Sequence, residues 1–432
     1  MTDKKPRKNM KGYYMTTFFI GLGFFTMGLM DPLYDTYIPI FLGRYISSNA
    51  VIGTIMTLDN MFAIFLIPIF SAISDRTHTR IGRRMPFIIT LLPLSAFAFG
   101  LIPFAALTSL AFLVIMIFAL NVFKQSVRGP VVALMPDIIP GDIRSEANGV
   151  INTMGGVATI VGTIGLAQLM NVAINLPGRG PTDNILAFPL AGILVLLAVL
   201  LLFFFVKETK GNYEERASKE KIPVIKSLKQ IFGEKDKSAF FVLVSLLFWF
   251  IGYQGVLPFV GKYSVEILKT SSGSAALAAG MVGISYAIFA IPSGIIAHNH
   301  GRKKTIRFAL IGIVVVLLLI FVHSMIFTAE GVSQTLRMIP FWALMFAFGM
   351  FWVTVITNSF PMLWQMADYA NMGIYTGLYY FFSQLASIVA PPITGALIDI
   401  FGYGSLFVFA ALCMFIAFLL MSKVTRGEPE ND

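Results

Sequence analysis

Five ionisable side chains stand inside otherwise apolar stretches of this 432-residue chain: Asp31, Asp35, Asp59, Lys124 and Arg128. Asp31 and Asp35 are four residues apart, as are Lys124 and Arg128, so each pair shares one face of a helix. An ionisable group facing lipid at mid-bilayer costs at least about 2.5–3.5 kcal/mol, so all five are expected to face a protein interior. Two chemistries suit such a set. Ion pairs could fix helix packing, or one carboxylate could take up and release a cation while a base holds or frees it, since intramembrane charges mark ion pathways. Three acids against two bases leave one acid unbalanced. Asp59 is the first candidate for that role and Asp35 the second.

The elements that must hold these groups are transmembrane helices. The chain is 57% hydrophobic and 12% charged, with mean hydropathy +0.80, whereas soluble domains carry about 25% charged residues. Apolar runs of the length needed to cross about 30 Å of hydrocarbon are read near 13–43, 51–74, 87–107, 109–136, 145–172, 185–206, 238–266, 275–297, 306–327, 339–363, 373–399 and 404–422. These are spans 1 to 12, an all-α integral membrane fold. A charged stretch, 207–237, divides them into six-span halves, 1–206 and 238–432. The N-terminal "MTDKKPRKNMK" is basic, but the following run is too long for a signal peptide and lacks a small-residue cleavage site.

Orientation follows from the cations. The N-terminus, the loops after spans 2 and 8, the 207–237 stretch, Arg144, Lys423 and Arg426 hold 25 Lys and Arg on one side, against five on the other. This bias places both termini in the cytoplasm and implies a multi-pass plasma-membrane protein, or an inner-membrane one in a bacterium. It also accounts for the net charge of +10 without nucleic acid as a partner. The lipid bilayer is the partner expected, and the chain reads as a monomer. The one cysteine, Cys413, excludes a disulfide framework and a cysteine metal site. No metal ligand set, cofactor motif or nucleotide loop is apparent, and the chain does not read as an enzyme.

At about 1.5 Å rise per residue, Asp31, Asp59 and Lys124 fall near the bilayer midplane, with Asp35 and Arg128 one turn away. The halves are repeats. "PVVALMPD" (130–137) is echoed by "PMLWQMAD" (361–368), and "NGVINTMGGVATIVG" by "TGLYYFFSQLASIVA". "YIPIFLGRY" is echoed by "VLPFVGKY", and "IPIFSAISDRTHTRIGRR" by "IPSGIIAHNHGRKK". Parallel repeats of six spans imply a transporter with its site near the midplane.

Through the repeat Asp35 corresponds to Gln254, Lys124 to Val355 and Arg128 to Ser359. The second half instead offers Trp249, Tyr253, Gln254, Tyr286, Trp352, Asn358, Tyr379, Tyr380 and Gln384. Neutral hydrogen-bonding groups beside aromatic faces suit a sugar, with hydroxyls at its rim and C–H faces. Asn60, Gln125 and Asn152 are the candidate neutral contacts of the first half. Any single aromatic also fits helix packing or an interfacial belt. "KSLKQIF", in the 207–237 stretch, reads equally as a surface amphipathic helix or a flexible linker.

The loop "SDRTHTRIGRRMPF" (74–87) carries Asp75, Arg76, Gly82, Arg83 and Arg84. With its "GRKK" echo it resembles the signature loop of the major facilitator superfamily. More narrowly it resembles the glycoside–pentoside–hexuronide cation symporters and the sucrose-type transporters, as do "RSEANG" and "YTGLYYFFSQLASIVAPPITGALID". The resemblance implies two pseudo-symmetric six-helix bundles, with spans 1, 2, 4, 5, 7, 8, 10 and 11 lining the cavity. It also implies cation-coupled uptake of a sugar or glycoside by alternating access. Melibiose-type sodium symporters carry paired aspartates where this chain has Ala63 and Ile67, so a proton is favoured over sodium. The loop is read as a cytoplasmic latch. Asp75, opposing the dipole of its own helix, would need an arginine or the N-terminus of a neighbouring helix, span 11 by the resemblance. An exporter of drugs or other amphipathic solutes, and a sugar sensor that does not transport, remain as alternatives.

Overall fold

A computed structural model of the chain describes residues 10–140, 143–208, 236–329, 331–366 and 372–428. The cations Lys4 to Lys8, "KSLKQIF" and Asp368 lie outside the described residues. Among the described residues, twelve helices are long and apolar enough to cross a membrane. They are Tyr14–Gly43, Asn49–Arg76, Met85–Thr108, Leu110–Ile138, Ala147–Asn171 and Ala187–Phe205. After the charged stretch come Ser238–Glu266, Ser272–His300, Arg302–Ile326, Gln334–Trp364, Tyr375–Phe401 and Gly404–Ser422. Spans 7 and 12 have the ends expected from hydropathy. Spans 8, 9 and 10 begin three to five residues earlier, because polar residues that hydropathy discounts serve as helix starts.

The way the helices start is regular. Spans 2, 4, 8 and 10 begin at Ser48, Ser109, Ser271 and Ser333, each accepting a hydrogen bond from the backbone N–H three residues on. A serine oxygen there satisfies one of the orphan donors of the first turn. Spans 3 and 9 start differently, on the side of the termini. The Glu208 carboxylate accepts from Arg84 N (2.9 Å) and Met85 N (3.1 Å). The Glu428 carboxylate accepts from Arg302 N (2.6 Å) and Lys303 N (3.1 Å). In both places a glycine with positive φ precedes the helix, Gly82 at 112° and Gly301 at 90°. The internal repeat thus extends to two carboxylates that the sequence echoes do not include.

Among the described residues, two spans are not continuous α-helix. Span 2 consists of Asn49–Met56 and Leu58–Arg76, with Thr57 between them. Span 5 is α-helical to Ile160, then widens to a π turn over Val161–Gly165 and tightens to a 3-10 turn over Leu166–Asn171. Gly28 and Gly155 lie so close that a Cβ on Gly28 would sit 2.4 Å from the Gly155 carbonyl, which brings spans 1 and 5 backbone to backbone. A short hairpin, β1 (Ile174–Leu176) against β2 (Gly180–Thr182), joins spans 5 and 6.

The helices sort into two compact units. One comprises 1–34 and 58–217, the other 35–57 and 218–432. In the first, span 3 packs on spans 4 and 6, and the second segment of span 2 packs on span 4. In the second, span 9 packs on spans 10 and 12, and span 8 packs on span 10. These are the same pairings displaced by six spans, so the repeat read in the sequence is also a repeat of packing. The second unit additionally holds the first segment of span 2 against span 11.

Candidate functional site

In the first unit the charges expected in spans 1, 2 and 4 come together. Lys124 is buried, its side chain 4% exposed, and its Nζ lies 2.9 Å from Asp31 Oδ1. The same Nζ stands 5.0 Å over the ring of Tyr34, a cation–π contact, and the Tyr34 hydroxyl accepts from Asn121 Nδ2 at 3.0 Å. Asp59 lies within electrostatic range of Lys124, Arg128 and Asp31, and accepts a hydrogen bond from the Asn60 N–H. Neither Asp59 nor Arg128 forms an ion pair among the described residues. The arrangement is one closed pair, Asp31–Lys124, with a second acid and a second base beside it. Asp59 stands immediately after the break at Thr57, at the start of a helical segment.

Asp35, the remaining acid, groups with the second unit and acts electrostatically on Tyr253. Of the neutral candidates in the first unit, Gln125 is buried and its Oε1 has no partner among the described residues. Asn60 is half-buried and Asn152 exposed.

The second unit holds an aromatic and amide cluster. The Tyr253 and Trp352 rings stack with centroids 3.9 Å apart and 5° between planes. Phe250 meets Trp352 edge-on at 5.5 Å. Gln254 Nε2 donates to Ser387 Oγ at 2.6 Å. The Asn358 amide donates to the Thr354 carbonyl at 2.9 Å and to that of Ser293 at 3.4 Å, so its NH2 group is engaged by spans 8 and 10. Trp249 is fully buried and its Nε1 has no partner among the described residues. Tyr286 and Tyr380 are exposed, and Gln384 is half-buried. Tyr379 is buried and its hydroxyl lies 3.2 Å from Ser359 Oγ.

The signature loop is held by carboxylates on its own unit. Arg83 makes a two-pronged bond to Asp137, Nε to Oδ2 at 3.0 Å and Nη2 to Oδ1 at 2.6 Å. Arg84 donates to the same Asp137 at 2.9 Å and also pairs with Asp75 and with the Ser74 hydroxyl. Planar guanidinium groups suit this shared, forked geometry. Arg76 is exposed and outside the cluster. Asp75 therefore has the nearby arginine that its place at a helix end requires. The centre of the cluster, however, is Asp137, at the end of span 4. In the sequence Asp137 stands only as the last residue of the repeated "PVVALMPD", with nothing local to mark its partners. Glu208 closes the loop from below: a Cβ on Gly82 would meet its Oε2 at 2.1 Å, so only glycine fits. Tyr34 and Asn121 carry no charge to mark them in the sequence, and their contribution lies in what they hold: the ring faces Lys124 and the hydroxyl takes the Asn121 amide.

The model of the Major Facilitator Superfamily matches residues 15–389, with a second match over 263–432. The chain belongs to this superfamily of transporters. A curated relative, the isoprimeverose transporter of Lactiplantibacillus pentosus, is 23% identical over 285 residues. That match covers 62% of this chain and 55% of the relative, so the chain spans about half of that protein's length. Among solved structures, a nucleoside transporter, NupG, superposes with TM-score 0.70 at 12% identity, covering 94% of this chain and all of the other. A D-xylose-proton symporter superposes with TM-score 0.66 at 14% identity, covering 96% and 98%. At such identities these structures establish the shared fold.

Proposed function

We propose that this protein is a secondary active transporter that couples uptake of a sugar or glycoside to a proton by alternating access. The observation that carries the reading is the Asp31–Lys124 pair with Asp59 unpaired beside it. A closed pair satisfies a buried lysine, and a second acid with no cation of its own is the group whose charge state can change. Protonation of Asp59 would alter the field on Lys124 and so the strength of the Asp31–Lys124 bond. Arg128 and Asp35 stand one turn from Lys124 and Asp31 and would respond to the same event. Of the neutral groups, Gln125, Asn60 and Asn152 would meet the solute from the first half. Tyr253, Gln254, Trp352, Asn358, Tyr380 and Gln384 would meet it from the second, with Trp249 behind them.

The isoprimeverose specificity named for the curated relative supports a sugar as cargo. The absence of carboxylates at Ala63 and Ile67 supports a proton over sodium. The excess of Lys and Arg beside the termini supports a cytoplasmic location for both ends, in a plasma or bacterial inner membrane. The six-span halves 1–206 and 238–432, joined by 207–237, act in this reading as the two moving bundles of a monomer. The Asp75–Arg84–Asp137 cluster, with Arg83 and Gly82, is the cytoplasmic latch.

Counterflow and proton-driven uptake of a panel of labelled disaccharides, in proteoliposomes, test the proposal. Accumulation under an inside-alkaline gradient supports it. Sugar binding without counterflow would make the protein a sensor. Efflux of amphipathic cations without sugar movement would make it an exporter.

A further inference from the structure

Residues 35–57, the end of span 1 and the first segment of span 2, belong to the second unit and are fastened there at several points. The carboxylate of Asp399, near the end of span 11, receives four hydrogen bonds from the start of span 2. Its Oδ1 accepts from Asn49 N (2.7 Å) and Asn49 Nδ2 (2.8 Å), and its Oδ2 from Ser48 Oγ (2.7 Å) and Ala50 N (3.0 Å). A carboxylate on the first N–H groups of a helix gains both charge-assisted bonds and the favourable end of the dipole.

Behind this contact the backbones touch. A Cβ on Gly395 would lie 2.1 Å from the Asn49 carbonyl, and one on Gly53 would lie 2.3 Å from that of Pro391. Buried Lys262 of span 7 donates to Asn49 Oδ1 at 2.7 Å, and stands 3.6 Å from Glu266, which accepts from the Tyr403 hydroxyl at 2.8 Å. These groups all lie at the helix ends remote from the termini.

Such a joint has the features of a contact built to part. Glycine-on-backbone contact is either seated or lost, since packed interfaces do not deform continuously. The bonds to Ser48 and Ala50 are on the exposed side, where water can replace them at small net cost.

We propose that Asp399 is a positioning residue of the transport cycle: its carboxylate clasps the start of span 2 and must release it for the site to open on the face opposite the termini. The inference rests on the alternating-access reading but on neither the sugar nor the proton.

The test uses the full chain with its single cysteine removed (Cys413→Ala) and a reporter, Ile52→Cys. Ile52 is fully buried in the clasped segment. Labelling by a membrane-impermeant maleimide is followed in right-side-out and inside-out vesicles. Asp399→Ala is expected to raise the labelling rate about tenfold or more from the face opposite the termini only. Ser48→Ala, which deletes one of the four donors, should raise it by a few-fold on the same face. Rates within twofold of the parent in both variants, or a rise equal from both faces, overturn the proposal. If Asp399→Ala does not yield monodisperse protein, the Ser48→Ala rate decides on the same terms. The assay needs no sugar and no ion gradient. Missing uptake with a one-sided rise therefore defeats the sugar–proton reading and leaves the clasp standing, and the reverse pattern does the opposite.

Discussion

Asp137→Ala should destabilise the first unit far more than Asp75→Ala, although only Asp75 belongs to the signature loop. The side chains of Asp137 and Arg84 are 10% and 4% exposed, and Arg83 is 18% exposed, whereas Asp75 is 55% exposed. Removing one partner of a buried pair costs about 3–5 kcal/mol, because the other charge is left uncompensated. Arg84 would retain Asp75 and the Ser74 hydroxyl, which places Asp137→Ala at the lower end, about 3 kcal/mol. An exposed pair contributes about 0–1 kcal/mol, and that is the expectation for Asp75→Ala. Equilibrium unfolding in mixed micelles measures both. The cycle with Arg83→Ala should be strongly non-additive, since the two groups share a forked bond. The reasoning fails if Asp137→Ala costs less than about 1 kcal/mol, or no more than Asp75→Ala.

Asp59→Asn should abolish proton-driven accumulation while leaving counterflow intact; retention of proton-driven uptake would remove Asp59 from the coupling role. Gly82→Ala should cost about 1–3 kcal/mol from positive φ alone, and more from the collision with Glu208, read as a lowered thermal midpoint in detergent. A midpoint equal to wild type would show that the loop relaxes freely. Asp75→Ala should slow transport more than Asn299→Ala, with sugar binding kept in both. Asn299 occupies the corresponding loop position but is neutral and exposed. Equal effects in uptake and binding would reduce the loop to a topological signal.

Much of the fold is legible because its signals are local. Twenty apolar residues in a row announce a span whatever surrounds them, but the polar starts at Ser271 and Ser333 carry no apolar signal, and spans 8 and 10 begin before hydropathy places them. The clustering of Asp31, Asp59, Lys124 and Arg128 was also readable, since the cost of charge in lipid leaves few places for such groups. Choice of partner was not readable. Asp137 looks no different from any acid at a helix end, and only folding of span 4 beside the loop gives it two arginines. Glu208 and Glu428 lie far in sequence from the helices they cap. The break at Thr57 carries neither proline nor glycine, so no local residue marks it. Asp35 and Asp31 share a helix face, yet packing assigns them to different units, a division that periodicity does not express.

The central claim, that this transporter moves a sugar on a proton gradient, is tested most directly in proteoliposomes of the purified full chain. Each of a panel of labelled disaccharides is supplied outside under an inside-alkaline gradient in sodium-free buffer, and separately under an inward sodium gradient at equal pH. The account predicts accumulation above the external concentration in the first condition, abolished by a protonophore, and equilibration only in the second. Accumulation that follows sodium and ignores the pH difference would contradict it.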